Sequence, residues 1–555
     1  MEQGNFSQRL KKAMAEAGLK QADLIHAAQK QGAKLGKSQV SQYVSGKTIP
    51  RPDVMATLAN ILNVSPAWLA KGAGRSGLGP ATWERTTAAV PTNGSAATPA
   101  NGAAGAPTST ANAAPVAAAP LATSASPHQA EPHTKPTPNK THHQGSAPMR
   151  QFKKSSKLDN VLYDVRGPVV DEAARMERQG TRILKLNIGN PAPFGFRTPD
   201  EVVQDMRLQL PDCEGYSDSK GLFSARKAIM QYSQIKGLPN VDMDCIYTGN
   251  GVSELINLCM QALLDNGDEI LIPSPDYPLW TACATLAGGN PVHYVCDEQA
   301  EWYPDIADIE SKITPRTKAI VIINPNNPTG AVYPKEVLED IIQVARENDL
   351  LIFSDEIYDR LVMDGVEHYS TAALAPDRMV ITMNGLSKSH IVCGFRCGWM
   401  CISGYKGKAD DYVEGIFQIA AMRLCGNALT QLVIPAALED NASTQAMLVP
   451  GGRLYEQREA VIREIDKIDG LSVVKNHGAF YVFPKLDVKK FNITNDKKFA
   501  FDLLHEKHIF IVPGSGFDWN EPDHFRIVML PEPNEIAQAI RDIGDFLNGY
   551  WQKND

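Results

Sequence analysis

No run of about eighteen apolar residues occurs in this chain of 555, so the sequence signature of a membrane-spanning helix is missing. The opening "MEQGNFSQRLKKAMAEAG" lacks the uninterrupted apolar core of a signal peptide and reads instead as an amphipathic helix. Cysteine is absent before Cys213, and the nine that follow are odd in number and irregularly spaced, which argues against a disulfide framework. Cys393, Cys397 and Cys401 come nearest to a metal pattern but lack the C-x-x-C spacing of zinc sites, so no metal is expected. Together these absences predict a cytoplasmic protein with reduced thiols.

Acidic residues are scarce at one end only. Residues 1–75 hold eleven Lys and Arg against four Asp and Glu, whereas the whole chain carries a net charge of −8. A basic module joined to an acidic remainder suits a nucleic-acid partner for the former. Large apolar side chains are all but missing from 76–153, where "NGSAATPANGAAGAPTSTANAAPVAAAP" is typical. Such a segment cannot bury enough surface to offset its ordering entropy, so a disordered linker is expected there. The chain as a whole, 43% hydrophobic and 21% charged, has the composition of a globular protein too long for one core.

Within 1–75, Phe6, Leu10 and Met14 recur at helical spacing, Gln21 to Ala28 form a second helical stretch, and Ser38 can cap a third, "SQVSQYV". Pro50 and Pro52 lead into "DVMATLANILNV", and Ser65 with Pro66 opens a last helix. The string "SQVSQYVSGKTIPRPDVMATLANILNVSPAWL" resembles phage-repressor-like helix-turn-helix domains. That resemblance places the third helix in the major groove of double-stranded DNA, with Gln39, Ser41 and Gln42 at base edges and Lys37, Lys47 and Arg51 near phosphates. One departure is a turn before that helix, "QKQGAKLGK", longer by roughly five residues than the family's. A helical protein-interaction module is the alternative.

From 154 to 555 the pattern changes. "DEILIPSP", "KAIVIINP", "LLIFSDE" and "RMVITMNG" are continuous apolar runs that end on polar residues, separated by helical stretches such as "PKEVLEDIIQVAREN". This predicts an α/β fold with a mostly parallel sheet covered on both faces, whose ligands bind at the carboxyl ends of the strands. A large domain over about 200–430 is expected beside a smaller α/β domain built from about 154–199 and 431–555.

The polar clusters at those strand ends occur in a telling order: a glycine turn opening a helix, "PSPDYP", "NPNNPTG", "SDEIYD", then "NGLSKSHIVCGFRCGW". In this order they resemble the pyridoxal-phosphate aminotransferases of fold type I, class I/II. The resemblance implies pyridoxal 5′-phosphate held as a Schiff base on Lys388, whose amine also carries the proton between substrate and cofactor. Asp355 would keep the pyridine nitrogen protonated, Tyr358 and Asn327 would bond the phenolic oxygen, and Tyr277 would stack on the ring. The phosphate would take the amides of Gly251 and Val252, with Ser253, Ser387 and Arg396. Tyr216 would reach the phosphate of a neighbouring subunit, which implies a homodimer. Gly385 stands where many relatives have a phosphate-binding serine.

Arg526, Asn327 and the backbone of Gly189 would hold the substrate α-carboxylate. The runs "SSKLDNVLYDVRGPV", "KLNIGNPAPFGF", "GYSDSKGLFSARKAIMQ" and "PGGRLYEQR" look like the bacterial alanine (glutamate–pyruvate) aminotransferases, which implies amino transfer between L-alanine and 2-oxoglutarate. Tyr163 and Arg166 are then candidates to meet glutamate's distal carboxylate, Arg166 being equally readable as a packing or ion-pair residue. A transcription regulator that uses the aminotransferase domain as an amino-acid or cofactor sensor is the alternative, as is a different donor specificity. The intact set Lys388, Asp355, Asn327, Tyr358, Arg396 and Arg526 favours an enzyme.

Overall fold

The computed structural model describes residues 6–30, 35, 37–62, 64–71, 152–159, 161, 167–407, 409–439 and 442–553. It divides into two compact units, Met1–Thr141 and His142–Asp555. The expected linker, except Phe152 and Lys153, and the elongated turn, except Gln29, Lys30, Leu35 and Lys37, lie outside the described residues.

Among the described residues, the regular elements of the first unit are five helices: α1 (Phe6–Glu16), α2 (Gln21–Lys30), α3 (Lys37–Ser45), α4 (Pro52–Ile61) and α5 (Pro66–Lys71). Phe6, Leu10 and Met14 are buried with Leu24, Val40, Leu58 and Trp68 in one core, as their spacing requires. Each fully buried leucine contributes about 1.5–3 kcal/mol, which is what lets so short a bundle close. Ser65 caps α5 through a bond from Trp68 N at 3.0 Å. α3 begins at Lys37, next to Ser38. Arg9 is withdrawn from the basic surface: it is buried, and its guanidinium donates to the carbonyls of Leu69 and Ala70 at the end of α5. Carbonyls in the last turn of a helix are favourable acceptors for a cation, so this one ties α1 to α5.

The second unit has fifteen strands among the described residues: β1 (Leu184–Lys185), β2 (Ile246–Gly249), β3 (Glu269–Ser274), β4 (Asn290–Asp297), β5 (Tyr303–Pro304), β6 (Thr317–Ile323), β7 (Leu351–Asp355), β8 (Met379–Gly385), β9 (Gly398–Gly404), β10 (Leu471–Ser472), β11 (Tyr481–Val482), β12 (Lys485–Leu486), β13 (Ile509–Phe510), β14 (Val512–Pro513) and β15 (Phe525–Val528). Eight of them form one sheet in the order β2-β9-β8-β7-β6-β3-β4-β5. The run β8-β7-β6-β3-β4 is parallel, while β9 lies antiparallel between β2 and β8 and β5 is antiparallel to β4.

Alternation along β6 explains the apolar run 319–323 that follows Thr317 and Lys318. Ala319, Val321 and Ile323 pack into one core with the helices Val252–Leu263 and Leu279–Ala287. Ile320 and Ile322 point the other way, into a second core with Leu338, Ile341 and Ile342 of the helix Lys335–Glu347. A strand with both faces dry needs no polar position. A third core gathers Val169 to Phe196 with helices Arg453–Ile465, Asp496–Lys507 and Pro533–Leu547 around the small sheets β1-β13 and β11-β15-β14. Tyr358 and Ile391 belong to this core as well, so it abuts the carboxyl edge of the large sheet.

Candidate active site

The parallel strands discharge their polar residues at one edge. Asp355 is the last residue of β7, Lys388 follows β8 by three positions, and Asn327 follows β6 by four. Tyr277 follows β3, and Gly251 lies between β2 and the helix Val252–Leu263. Because β9 runs antiparallel to β8, its start lies at that same edge, with Arg396 two residues ahead of it. These ends enclose a cavity of about 620 Å³ lined by Gly189, Val252, Ser253, Tyr277, Asn327, Asp355, Tyr358, Ser387, Lys388, Arg396 and Arg526. Of the residues expected from sequence, Gly251 and Tyr216 do not line it; Gly251 lies just before Val252 against Arg396, and the Tyr216 side chain is 85% exposed. Tyr163 and Arg166 lie outside the described residues.

Lys388 is half-buried, and its Nζ donates to the Gly189 carbonyl at 2.9 Å while lying 5.4 Å from the centre of the Phe480 ring. Asp355 is buried, with Trp280 Nε1 donating to one carboxylate oxygen and the Ile357 amide to the other, both at 3.3 Å. Burial pushes its carboxyl up to about 6, against the opposing pull of these two bonds. Its neighbour Glu356 is turned away to Lys236 at 2.7 Å, so Asp355 and not Glu356 faces the cavity. Burial also holds the Tyr358 hydroxyl far above the ordinary tyrosine range, so it stays a proton donor.

Arg526 on β15 donates to Asn327 Oδ1 at 3.0 Å and to the Asn187 carbonyl. Its guanidinium lies 4.6 Å from the centres of both the Tyr481 and the Phe517 rings, an aromatic slot that fixes its plane. At the opposite side, Gly251 has φ +83°, and a Cβ there would come within 2.9 Å of Arg396 Cζ. Backbone, helix start and guanidinium thus form a cradle in which a side chain at 251 would sit, and its donor set suits a phosphate dianion. Gly385 has a different reason to lack a side chain: its Cβ would approach the Cys397 carbonyl oxygen to 2.6 Å. A serine at 385 would meet that carbonyl, whereas Ser387 faces the cavity.

Three side chains of this site were not singled out by sequence. Trp280, Phe480 and Tyr481 read as core aromatics, and only their placement beside Asp355, Lys388 and Arg526 distinguishes them. All nine cysteines are free; burial drives Cys397 and Cys401 up to about 12, which suits packing rather than ligation.

In the first unit, Ser41 and Gln42 of α3 are exposed, as are Lys47 and Arg51 beyond its end. Lys37 and Gln39 share that helix. No helix among the described residues is long and apolar enough to cross a membrane.

Comparison with known proteins agrees with this geometry. Residues 181–543 match the family "Aminotransferase class I and II", and residues 10–69 match "Helix-turn-helix". The chain is 55% identical over 404 residues to glutamate-pyruvate aminotransferase AlaA of Haemophilus influenzae, covering 73% of this chain and 100% of that one. It is 52% identical over 404 residues to alanine aminotransferase of Mycobacterium tuberculosis, with coverages of 73% and 94%. The crystal structure of an aminotransferase from Escherichia coli superposes with a TM-score of 0.72 at 54% identity, covering 73% of this chain and 100% of that chain. With a family match across two thirds of its length and relatives that it covers almost end to end, the chain belongs to the class I and II aminotransferases and carries a helix-turn-helix domain ahead of the catalytic fold.

Proposed function

We propose that this protein transfers an amino group between L-alanine and 2-oxoglutarate, giving pyruvate and L-glutamate, with pyridoxal 5′-phosphate bound at Lys388. The observation that carries this reading is the meeting of Lys388, buried Asp355, Arg526 and the Gly251–Arg396 cradle in one cavity. Aminotransferases of class I and II use pyridoxal phosphate as a family. The cofactor, when bound, supplies an aldehyde to take the amino group and a pyridinium ring to draw off electrons.

The remaining work falls to the chain. Arg396 and the amides of Gly251 and Val252, with Ser253 and Ser387, would hold the phosphate. Asp355 would keep a proton on the ring nitrogen, because a carboxylate pressed into this dry site gains most from a cation opposite it. Tyr277 would pack against the ring, and Tyr358 with Asn327 would donate to its phenolic oxygen. Arg526 clamps the α-carboxylate beside the Gly189 backbone, which orients the α-hydrogen toward Lys388. The Lys388 amine then takes that proton and returns it, acting as base and acid in turn. Tyr163 and Arg166 are proposed to receive the distal carboxylate of glutamate.

The names of the relatives, glutamate-pyruvate and alanine aminotransferase, support alanine as donor. With 2-oxoglutarate as acceptor, alanine is expected to exceed aspartate and the aromatic amino acids in kcat/KM. A tenfold preference for an aromatic donor overturns the assignment. A homodimer completes the reading: Tyr216, Met422 and Leu424 are all exposed, and the Ser219 hydroxyl, three residues after Tyr216, donates to the Leu424 carbonyl at 2.6 Å.

Double-stranded DNA is the proposed partner of the first unit, since α3 and the turn after it expose Ser41, Gln42, Lys47 and Arg51. Full-length protein should bind labelled duplex with an affinity that falls steeply with salt, by about 0.9 logarithmic units per tenfold salt for each phosphate neutralised. Anisotropy titrations at three salt concentrations test this; binding indifferent to salt, or none at 50 mM or so, removes DNA as the partner.

A further inference from the structure

We propose that Tyr481 is a positioning residue of this site, its hydroxyl setting the Tyr358 hydroxyl and its ring setting the Arg526 guanidinium. The proposal rests on the roles given above to Tyr358 and Arg526.

Tyr481 opens β11, which pairs with β15 in the register Tyr481↔Val528 and Val482↔Ile527. That register puts the Tyr481 ring beneath Arg526, 4.6 Å from its guanidinium carbon. The ring also meets Tyr358 edge-on, with centroids 5.6 Å apart at 82°. At its tip the two hydroxyl oxygens stand 2.8 Å apart, a hydrogen bond between residues 123 positions apart in sequence. A tyrosine serving only to fill a core would be enclosed by apolar neighbours, yet Tyr481 lines the cavity that holds Lys388.

The single proton on each hydroxyl decides the direction of that bond. If Tyr358 donates to the cofactor's phenolic oxygen, its own oxygen is left as an acceptor, and the Tyr481 proton points into it. The order is then Tyr481 to Tyr358 to the cofactor oxygen. In a buried chain of this kind each bond polarises the next, so the outer hydroxyl makes Tyr358 a stronger donor. A stronger donor favours the anionic phenolic oxygen and so lowers the pH at which the bound cofactor loses its proton. Removal of the Tyr481 hydroxyl should raise that pH. The ring acts separately, as a flat wall that keeps the Arg526 fork facing the α-carboxylate.

The test is a pH titration of the visible absorbance of pyridoxal-phosphate-loaded wild type, Tyr358→Phe, Tyr481→Phe and the double variant. Tyr358→Phe should raise the midpoint most, and Tyr481→Phe by roughly half a pH unit, the scale of one modest hydrogen bond. In the Tyr358→Phe background, Tyr481→Phe should add nothing, since its route to the cofactor is gone. A Tyr481→Phe midpoint equal to wild type, or the same shift in both backgrounds, overturns the proposal. No shift in Tyr358→Phe instead overturns the role of Tyr358, and this proposal with it. For the ring, Tyr481→Phe should leave KM for alanine within about twofold, whereas Tyr481→Leu should raise it roughly tenfold. Equal KM values in the two variants would remove the ring from any part in holding Arg526.

Discussion

The Lys388→Ala protein, saturated with pyridoxal phosphate, is expected to lose the visible absorbance of covalently held cofactor and nearly all turnover. Both losses have one cause, because the same amine is the cofactor's anchor and the proton carrier. Proton transfer by a positioned side chain typically supplies about 10²–10⁴-fold, so alanine at this position should leave less than about a hundredth of the wild-type rate. Folding should survive. The ammonium is half-buried, and the bond it makes to the Gly189 carbonyl is worth only about 0.5–3 kcal/mol. A spectrum from 300 to 500 nm or so with a single-turnover assay reads both effects, and the cooperative melt checks the fold. Turnover above about one hundredth of wild type would take Lys388 out of the chemistry, and with it the reading of the cavity.

The large sheet was legible because its physics is local. A strand buried on both faces is written mainly in apolar residues, and the middles of β3, β6, β7 and β8 are, with Glu269, Ser354, Thr382 and Asn384 as buried polar exceptions. The polar residue that ends each run is legible too, since nothing in the strand itself calls for Asp355 after "LLIFS". Tyr481 and Trp280 are different. Each sits in a run that packing alone would produce, and each acquires a polar duty only through a partner 123 or 75 residues away. Sequence period cannot report a hydrogen bond between the first residue of β11 and a residue beyond the end of β7. Gly385 shows the converse, a departure visible in sequence whose reason, the Cys397 carbonyl 2.6 Å from any Cβ, belongs to the pairing of β8 with β9. In the first unit, the count of eleven basic residues could not show that Arg9 is buried, its guanidinium donating to the carbonyls of Leu69 and Ala70 in α5.

Asp355→Asn is expected to separate stability from catalysis. Burial lifts the Asp355 carboxyl from its ordinary 3.8 to about 6, so in the cofactor-free protein the folded chain holds this proton more tightly than the unfolded chain. Between those values the folded state binds more protons than the unfolded state, and stability must therefore fall as pH rises. The contribution is complete below about pH 4, is lost through about pH 6, and above that leaves a standing cost of roughly 3 kcal/mol. Asparagine has nothing to ionise. Its amide faces two N–H donors, from Trp280 and Ile357, with one acceptor instead of two, so its absolute stability can start lower by about 1–3 kcal/mol. The gap between variant and wild type should nonetheless move by roughly 3 kcal/mol in favour of the variant from pH 4 to pH 8, whatever its starting value. Turnover should move the other way, by roughly 10²–10³-fold, because the charge that holds a proton on the ring nitrogen is gone. Urea melts of the two cofactor-free proteins across this pH range, set beside kcat at pH 8, measure both. Parallel stability profiles would show that Asp355 is not strained by its burial, and an unchanged kcat would show that it does not face the ring.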